Sequence, residues 1–421
     1  MISIKTVRDW TEKITGVNVK HLYHGGFWIT LGQAATSLSG LAMALFFANI
    51  IPKEIYGTYK YILSLVSIVA ITTLPGINGP AAQAIAEGYE ASFLTALRSK
   101  IKWGYLGGLL MLGIGAYYLL VKGNILVGYA AISAAIFVPF MDSYSLYLTY
   151  LQAKGFYKKS VVYFIISQLT ATTLVILAAY FSKNLIIILL TYFGSWTALR
   201  YLFFKHIIRL YPPNNKESSK TTSYGFHINL VNTLGQFANY IDSLLLFNYL
   251  GPLEVAIYNI SIAPTEQVRG ILKDIPAYTL PLFAKKTIKE INRTLIWRMF
   301  LFFVGGVVVS FGIYKILPYI FPIVFKNYAE DVYLAQLYAP TLIFRAPFMF
   351  LSSVIQAKIT YLKKSWLNYT IIPNIILIVS LFILIPHYGI LGVIIARYIN
   401  IIALGVIYII QWNLLVNSKI E

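Results

Sequence analysis

The sequence contains no cysteine, which excludes disulfides, thiolate nucleophiles and cysteine-bound metals. Charge is scarce: 12% of residues are Asp, Glu, Lys or Arg, against about 25% in a soluble domain. Acidic residues are the scarcest, 15 Asp and Glu to 34 Lys and Arg. The five histidines lie in loops or near the ends of apolar segments, without metal-ligand spacing. No Gly-x-x-x-x-Gly-Lys-Ser/Thr loop is present, which argues against ATP hydrolysis by this chain. A cleavable signal peptide is not expected. The first apolar run starts near Gly25, is too long for a signal h-region, and has no small-residue cleavage site behind it.

Apolar residues dominate instead, at 58% of the chain with a mean hydropathy of +0.71. Twelve stretches are long and apolar enough to cross a bilayer as helices: 25–51, 58–79, 103–121, 124–151, 160–181, 184–204, 224–250, 255–284, 294–316, 331–357, 366–385 and 389–413. Ahead of the first, Ile4, Val7, Trp10, Ile14 and Val17 recur at helical spacing among Lys5, Arg8, Lys13 and Lys20, the pattern of an amphipathic helix on a membrane surface. The net charge of +19 is distributed by side. Most Lys and Arg fall in the termini and alternate loops. Six fall on the opposite side (Lys53, Lys60, Lys122, Lys183, Lys315 and Lys326), and five within spans (Arg200, Arg269, Lys273, Arg345 and Arg397). This alternation places both termini in the cytosol. A nucleic-acid partner is not expected, since a binding stripe would be continuous on a soluble surface.

The chain also repeats itself. Gln152-Ala153-Lys154 with Tyr157, Lys158, Lys159 and Ser160 returns as Gln356-Ala357-Lys358 with Tyr361, Lys363, Lys364 and Ser365. Leu31-Gly32-Gln33 returns as Leu234-Gly235-Gln236, and Asn49 with Pro52-x-Glu54 returns as Asn248 with Pro252-x-Glu254. A half-length repeat in an apolar chain is the mark of a two-bundle transporter, and six spans per half make the repeats parallel. The expected organisation is an interfacial helix over 1–22, a six-helix bundle over 23–210, a cytosolic linker over 211–223 rich in Pro, Asn and Ser, and a second six-helix bundle over 224–421. Helix breakers interrupt several spans: Pro75 to Pro80 in the second, Pro264, Pro276 and Pro281 in the eighth, Pro340 and Pro347 in the tenth. Backbone groups freed there need protein or cavity water as partners.

Ionisable residues inside a membrane face a cavity or a partner. Glu266, Arg269 and Lys273 share one face of the eighth span, with Asp274 displaced from it. Arg345 and Arg397 have no acid in their own spans, which makes them the stronger ligand candidates for an anionic group such as a phosphate. The alternative is internal pairing, Arg269 with Glu266 and Lys273 with Asp274 or Asp242. Asp242 and Asp142 are candidates either for coupling to an H⁺ or Na⁺ gradient or for salt bridges. No other cofactor is expected. In the first half, Gln33, Asn49, Asn78 and Gln83 are candidate sugar contacts, or bonds between helices.

The segment from Phe47 to Tyr59, FANIIPKEIYGTY, resembles the first-loop signature of the Wzx-type oligosaccharide flippases among the polysaccharide exporters, and the repeated Gln-Ala-Lys stretches resemble that family's inner-loop motif. The resemblance covers essentially the whole chain. It implies an all-helical fold of about twelve spans in two six-helix bundles, arranged as a V around a central cavity as in multidrug and polysaccharide exporters. It also implies a substrate, an undecaprenyl-pyrophosphate oligosaccharide carried from the cytosolic to the outer leaflet of a bacterial inner membrane for O-antigen, lipopolysaccharide or other surface polysaccharide. Membrane lipids and other polysaccharide-assembly proteins are the implied partners. A multidrug exporter of the same fold, a membrane polymerase or ligase, and a structural scaffold are the alternatives.

Overall fold

A computed structural model describes residues 19–218, 221–272, 283–358 and 365–417. Among them the chain forms helices and turns, with no strand. Inside lipid every backbone donor and acceptor must be paired within the protein, and a helix does this along its own length. The first half runs through α1 (Val19–Ile50), α2 (Lys53–Val69), α3 (Asn78–Ala86), α4 (Ser92–Leu120), α5 (Ile125–Ala135), α6 (Val138–Met141), α7 (Leu146–Ala153), α8 (Tyr157–Ser182) and α9 (Leu185–Leu210). The second runs through α10 (Thr221–Leu250), α11 (Pro252–Leu272), α12 (Ile288–Val324), α13 (Val332–Tyr338), α14 (Thr341–Ala357) and α15 (Ser365–Asn417).

Among the described residues, seven helices are long and apolar enough to cross a membrane, or nine when each bent pair counts as one span. The twelve expected stretches differ from this number for identifiable reasons. The fourth and tenth are bent by 41° and 42° at breaks near Phe137 and Pro340. The eleventh and twelfth fall in α15, whose backbone breaks at Gly389 (φ 57°, ψ −130°), a conformation open to glycine. The seventh and eighth, α10 and α11, are helical but fall outside the apolar set. Their polar residues are those of the cavity described below.

The Pro75 breaker ends α2 in two short 3-10 turns, Ala70–Thr73 and Pro75–Ile77. Leu74 between them is left-handed at φ 53°. The freed backbone finds a partner in the other half: Asn229 of α10 donates to the Ile71 carbonyl (3.0 Å) and accepts from the Gly76 N–H (3.2 Å). The expected interfacial helix lies largely outside the described residues, as do Pro276, Pro281 and most of the second Gln-Ala-Lys stretch. The first such stretch is a fastening: Gln152 Nε2 donates to Ser160 Oγ (3.2 Å), and Lys154 pairs with Glu90 (2.9 Å). Residues 211–218 are non-helical, and Asn214 and Ser218 hydrogen-bond to the turn at Gly88–Ser92.

The buried apolar residues form three groups. One mixes both halves, for example Phe47, Tyr59 and Ile62 with Leu246, Val255 and Phe321. The other two stay within single halves, around Phe93 and Tyr150 in the first and around Phe350 and Trp412 in the second. The helices form a two-bundle V whose shared core lies at the end that the charge pattern assigns to the outside. Toward the other end each half has its own apolar core, and the halves meet there along α10, where Asn229 bonds Ile71 and Gly76. Large apolar side chains cover the perimeter, as at Phe311 (61% exposed) and Ile323 (71% exposed) of α12, which suits a lipid surround.

Candidate substrate cavity

Below the junction, α2, α10 and α11 enclose a cavity of about 400 Å³. Lys60, Ser64 and Ser67 of α2 reach it from the first half, at spacings that put them on one helical face. Asn239, Asp242, Tyr258, Glu266, Arg269 and Arg397 reach it from the second. A chamber of about 310 Å³ shares Asn239, Arg269 and Arg397 with it and adds Arg345. Another, of about 230 Å³, shares Lys60 and Tyr192 and extends toward Gln168 and Trp196.

Two acid-centred groups organise the second half. Glu266 accepts from Arg345 Nη1 and from the Tyr338 hydroxyl (3.0 and 2.7 Å), and also pairs with Arg269 one turn along α11. Asp242 pairs with Arg397 and accepts from the Tyr258 hydroxyl (2.6 Å). Arg345 and Arg397, which have no acid in their own spans, take their acids from other helices, Glu266 of α11 and Asp242 of α10. Asp242 is held by Arg397 where the sequence suggested Lys273. Lys273 and Asp274 lie outside the described residues.

In the first half, Asp142 accepts from Lys100 Nζ (2.8 Å) and Thr73 Oγ1 (3.1 Å). Lys100 also donates to Asn78 (3.2 Å) and is wholly buried. Counting Lys100 with a loop, as its sequence position suggested, was wrong: α4 begins at Ser92 and carries it inside. Asn78 is thus tied to an ion pair. Asn49 sits at the closed end, bonded to backbone carbonyls. Gln83 donates to Glu87 beside a groove between α3 and α10. Gln33 approaches Gly270 of α11. None of these four lines the central cavity.

Sequence reasoning missed Lys60, assigned by position to an outer loop. Among the described residues it has no acidic partner, and it lies 5.6 Å from the centre of the Tyr56 ring. Its shared face with Ser64 and Ser67 was the available signal. Among the described residues around these chambers, four cations (Lys60, Arg269, Arg345 and Arg397) thus stand against two carboxylates (Asp242 and Glu266).

The model of the family described as polysaccharide biosynthesis protein matches residues 22–287. The chain belongs to the polysaccharide biosynthesis protein family. The resemblance to Wzx-type exporters is borne out at this level, and solved structures confirm the fold. An inward-facing multidrug resistance MATE family transporter of the MOP superfamily superposes with a TM-score of 0.68 at 13% identity, covering 91% of this chain and 96% of the other. A MATE protein in complex with MaD3S gives 0.65 at 15%, covering 95% and 97%. A MOP superfamily transporter from Pyrococcus furiosus, described as having a binding pocket of reversed polarity, gives 0.61 at 14%, covering 94% of each chain. No curated protein matches. This member of the polysaccharide biosynthesis family is thus a multi-pass membrane protein with a MATE-like fold. Family and fold together support a flippase or exporter over an enzyme.

Proposed function

We propose that the protein moves a lipid-linked oligosaccharide, its sugars joined to undecaprenyl through a pyrophosphate, from the cytosolic to the outer leaflet of a bacterial inner membrane. The observation that carries this reading is the charge of the cavity, where among the described residues four cations meet two carboxylates and Lys60 has no acid. An uncompensated ammonium in a low-dielectric chamber favours an anion strongly. The arginines are already oriented by Glu266 and Asp242, so their remaining donors are arranged before the ligand arrives. A pyrophosphate is the anionic part of such a lipid, and Ser64, Asn239 and Asn259 offer neutral hydrogen-bonding groups beside the cations. The V, closed at one end, fits alternating access about this site, with both termini cytosolic and an ion gradient as the energy source.

The test is movement of a fluorescent undecaprenyl-pyrophosphate oligosaccharide across proteoliposomes, with and without proton or sodium gradients. Lys60→Ala and Arg269→Ala should each reduce it at least tenfold with the protein still folded. Export of organic cations with no movement of the lipid would replace this reading with a multidrug exporter.

A further inference from the structure

Beside the cation cluster, on the lipid-facing side of α11, α12 and α14, lies a second feature that the transport reading leaves unused. Val268 of α11, Leu301, Gly305 and Val309 of α12, and Leu342 and Ala346 of α14 border a groove of about 360 Å³ whose lining is wholly apolar. Leu301 and Val309 are 51% and 43% exposed, so the groove opens to the bilayer. Its floor is firm, since Phe302 stacks on Phe350 with ring centres 4.7 Å apart.

Two adjacent glycines make this space in different ways. A side chain on Gly306 would meet Ile343 Cα and Leu342 O at 3.0 Å, so its absence lets α12 lie close against α14. A Cβ on Gly305 would meet nothing within 4 Å. Gly305 leaves a vacancy where other positions of this lipid-facing helix carry Phe, Val or Ile.

The groove shares walls with the cation cluster. Val268 precedes Arg269, and on α14 Leu342 lies three residues before Arg345 and Ala346 one after it. Successive residues of a helix point about 100° apart, so the same two helices show apolar side chains to the groove and guanidinium groups to the chambers. An amphiphile with its chain in the groove would bring an anionic head to the edge of Arg269, which is 44% exposed.

We propose that this groove holds the first isoprene units of the substrate's polyprenyl chain while its pyrophosphate engages Arg269 and Arg345. The proposal rests on the lipid-linked oligosaccharide reading and adds the place of the lipid. Charge complementarity selects the occupant: a zwitterionic phospholipid gains little from the guanidinium groups, and a pyrophosphate gains much.

The experiment is photolabelling of the full chain in nanodiscs with two diazirine probes, a polyprenyl-pyrophosphate oligosaccharide and phosphatidylcholine, mapped by peptide mass spectrometry. Gly305→Leu places a side chain in the groove from a position where a Cβ meets nothing within 4 Å, and Gly312→Leu, at a position on α12 where a Cβ likewise meets nothing, is the control. The expected result is polyprenyl labelling at Leu301 to Val309 and Leu342, reduced at least tenfold by Gly305→Leu and unchanged by Gly312→Leu, with transport falling in parallel at unchanged thermal stability. Polyprenyl labelling confined to other helices overturns the groove and leaves the transport reading intact. Equal labelling by phosphatidylcholine, with transport unaffected by Gly305→Leu, makes the groove a site for bulk lipid and also overturns the proposal. Failure of the polyprenyl probe to label the protein anywhere removes the transport reading and the groove with it.

Discussion

Asn49 and Asn248 hold equivalent places in the two sequence repeats, and each reaches across to the opposite half. Both donate Nδ2 to the carbonyl four residues back, Leu45 and Leu244 respectively, at 2.8 Å. Asn49 then bonds the Val324 carbonyl at the end of α12 (2.7 Å), and Asn248 accepts from the Tyr118 hydroxyl near the end of α4 (3.2 Å). Gly57 of α2 lies so close to Pro252 that a Cβ would stand 1.7 Å from the Pro252 carbonyl oxygen. Tyr61 stacks on Phe247 at 3.9 Å beside them.

These contacts are the latch of the closed end, and breaking them should open it. Each lost hydrogen bond shifts a two-state equilibrium by about 0.5–1.5 kcal/mol. Asn49→Ala with Asn248→Ala should therefore populate the outward-open state roughly tenfold more. The absence of native cysteine makes this directly measurable with Ser64→Cys and a membrane-impermeant thiol reagent added from outside. An unchanged labelling rate in the double variant would sink the assignment. Gly57→Ala should act in the same direction more strongly, because the clash is with backbone.

Glu266 should matter more to stability than either arginine it holds. Its side chain is 22% exposed and serves two guanidinium groups, and Arg345 is 11% exposed. Removing the acid from a buried pair costs about 3–5 kcal/mol. Removing Arg269, which is 44% exposed, should cost about 1 kcal/mol or less. Melting followed by tryptophan fluorescence should rank Glu266→Gln well below Arg269→Gln. Added pyrophosphate should raise the melting temperature of Glu266→Gln more than that of the parent, since it can replace the lost carboxylate. Equal losses in the two variants would show that the network does not centre on Glu266.

Outside the spans, Glu90 gives a pH-dependent contribution of known sign. Partial burial tends to raise its pKa. The Lys154 ammonium at 2.9 Å, the Asn214 N–H and the Tyr150 hydroxyl outweigh that effect and hold it below the ordinary carboxylate value. A depressed carboxylate stabilises the fold fully above its unfolded pKa, about 4.3, and the contribution fades as pH falls through the folded value. Lys154 is raised despite its own desolvation, chiefly by its hydrogen bond to Glu90, so its share is lost only at strongly alkaline pH. Glu90→Gln should melt below the parent at pH 7 and the two should converge below about pH 4. A gap that persists to pH 3 would remove the charge from the explanation.

The fold was largely legible because its signal is long-range and redundant. Each span is an apolar stretch, and the halves repeat at fixed landmarks such as Pro52-x-Glu54 and Pro252-x-Glu254. The site was legible only in part. Glu266 and Arg269 could be paired from helical spacing, since both lie on α11. Arg345 with Glu266 and Arg397 with Asp242 could not, because 79 and 155 residues separate the partners and packing alone joins them. Lys60 and Lys100 were both assigned to loops because charge counting gives a cation to the nearest loop: Lys60 lies at the start of the 58–79 stretch, and Lys100 on a helix that begins at Ser92, well before its stretch at 103. The face they share with buried or cavity neighbours was the better guide.

Lys100 and Asp142 pose the sharpest choice between structure and coupling. Lys100 is wholly buried within α4, and its ammonium is shared between Asp142 and Asn78. A gradient-driven transporter can use such a carboxylate as a proton carrier, but this one is already engaged by a lysine 2.8 Å away and by the Thr73 hydroxyl. The pair should therefore be structural. Lys100→Met alone leaves a carboxylate without its cation and Asp142→Leu alone leaves a buried ammonium, and each should cost about 3–5 kcal/mol. The double variant removes both charges together, so it should recover most of that loss and show a large coupling energy in a double-mutant cycle. It should also transport at near the parental rate under the same gradient. A stable double variant that has lost all gradient dependence would reverse the assignment and make Asp142 the coupling group.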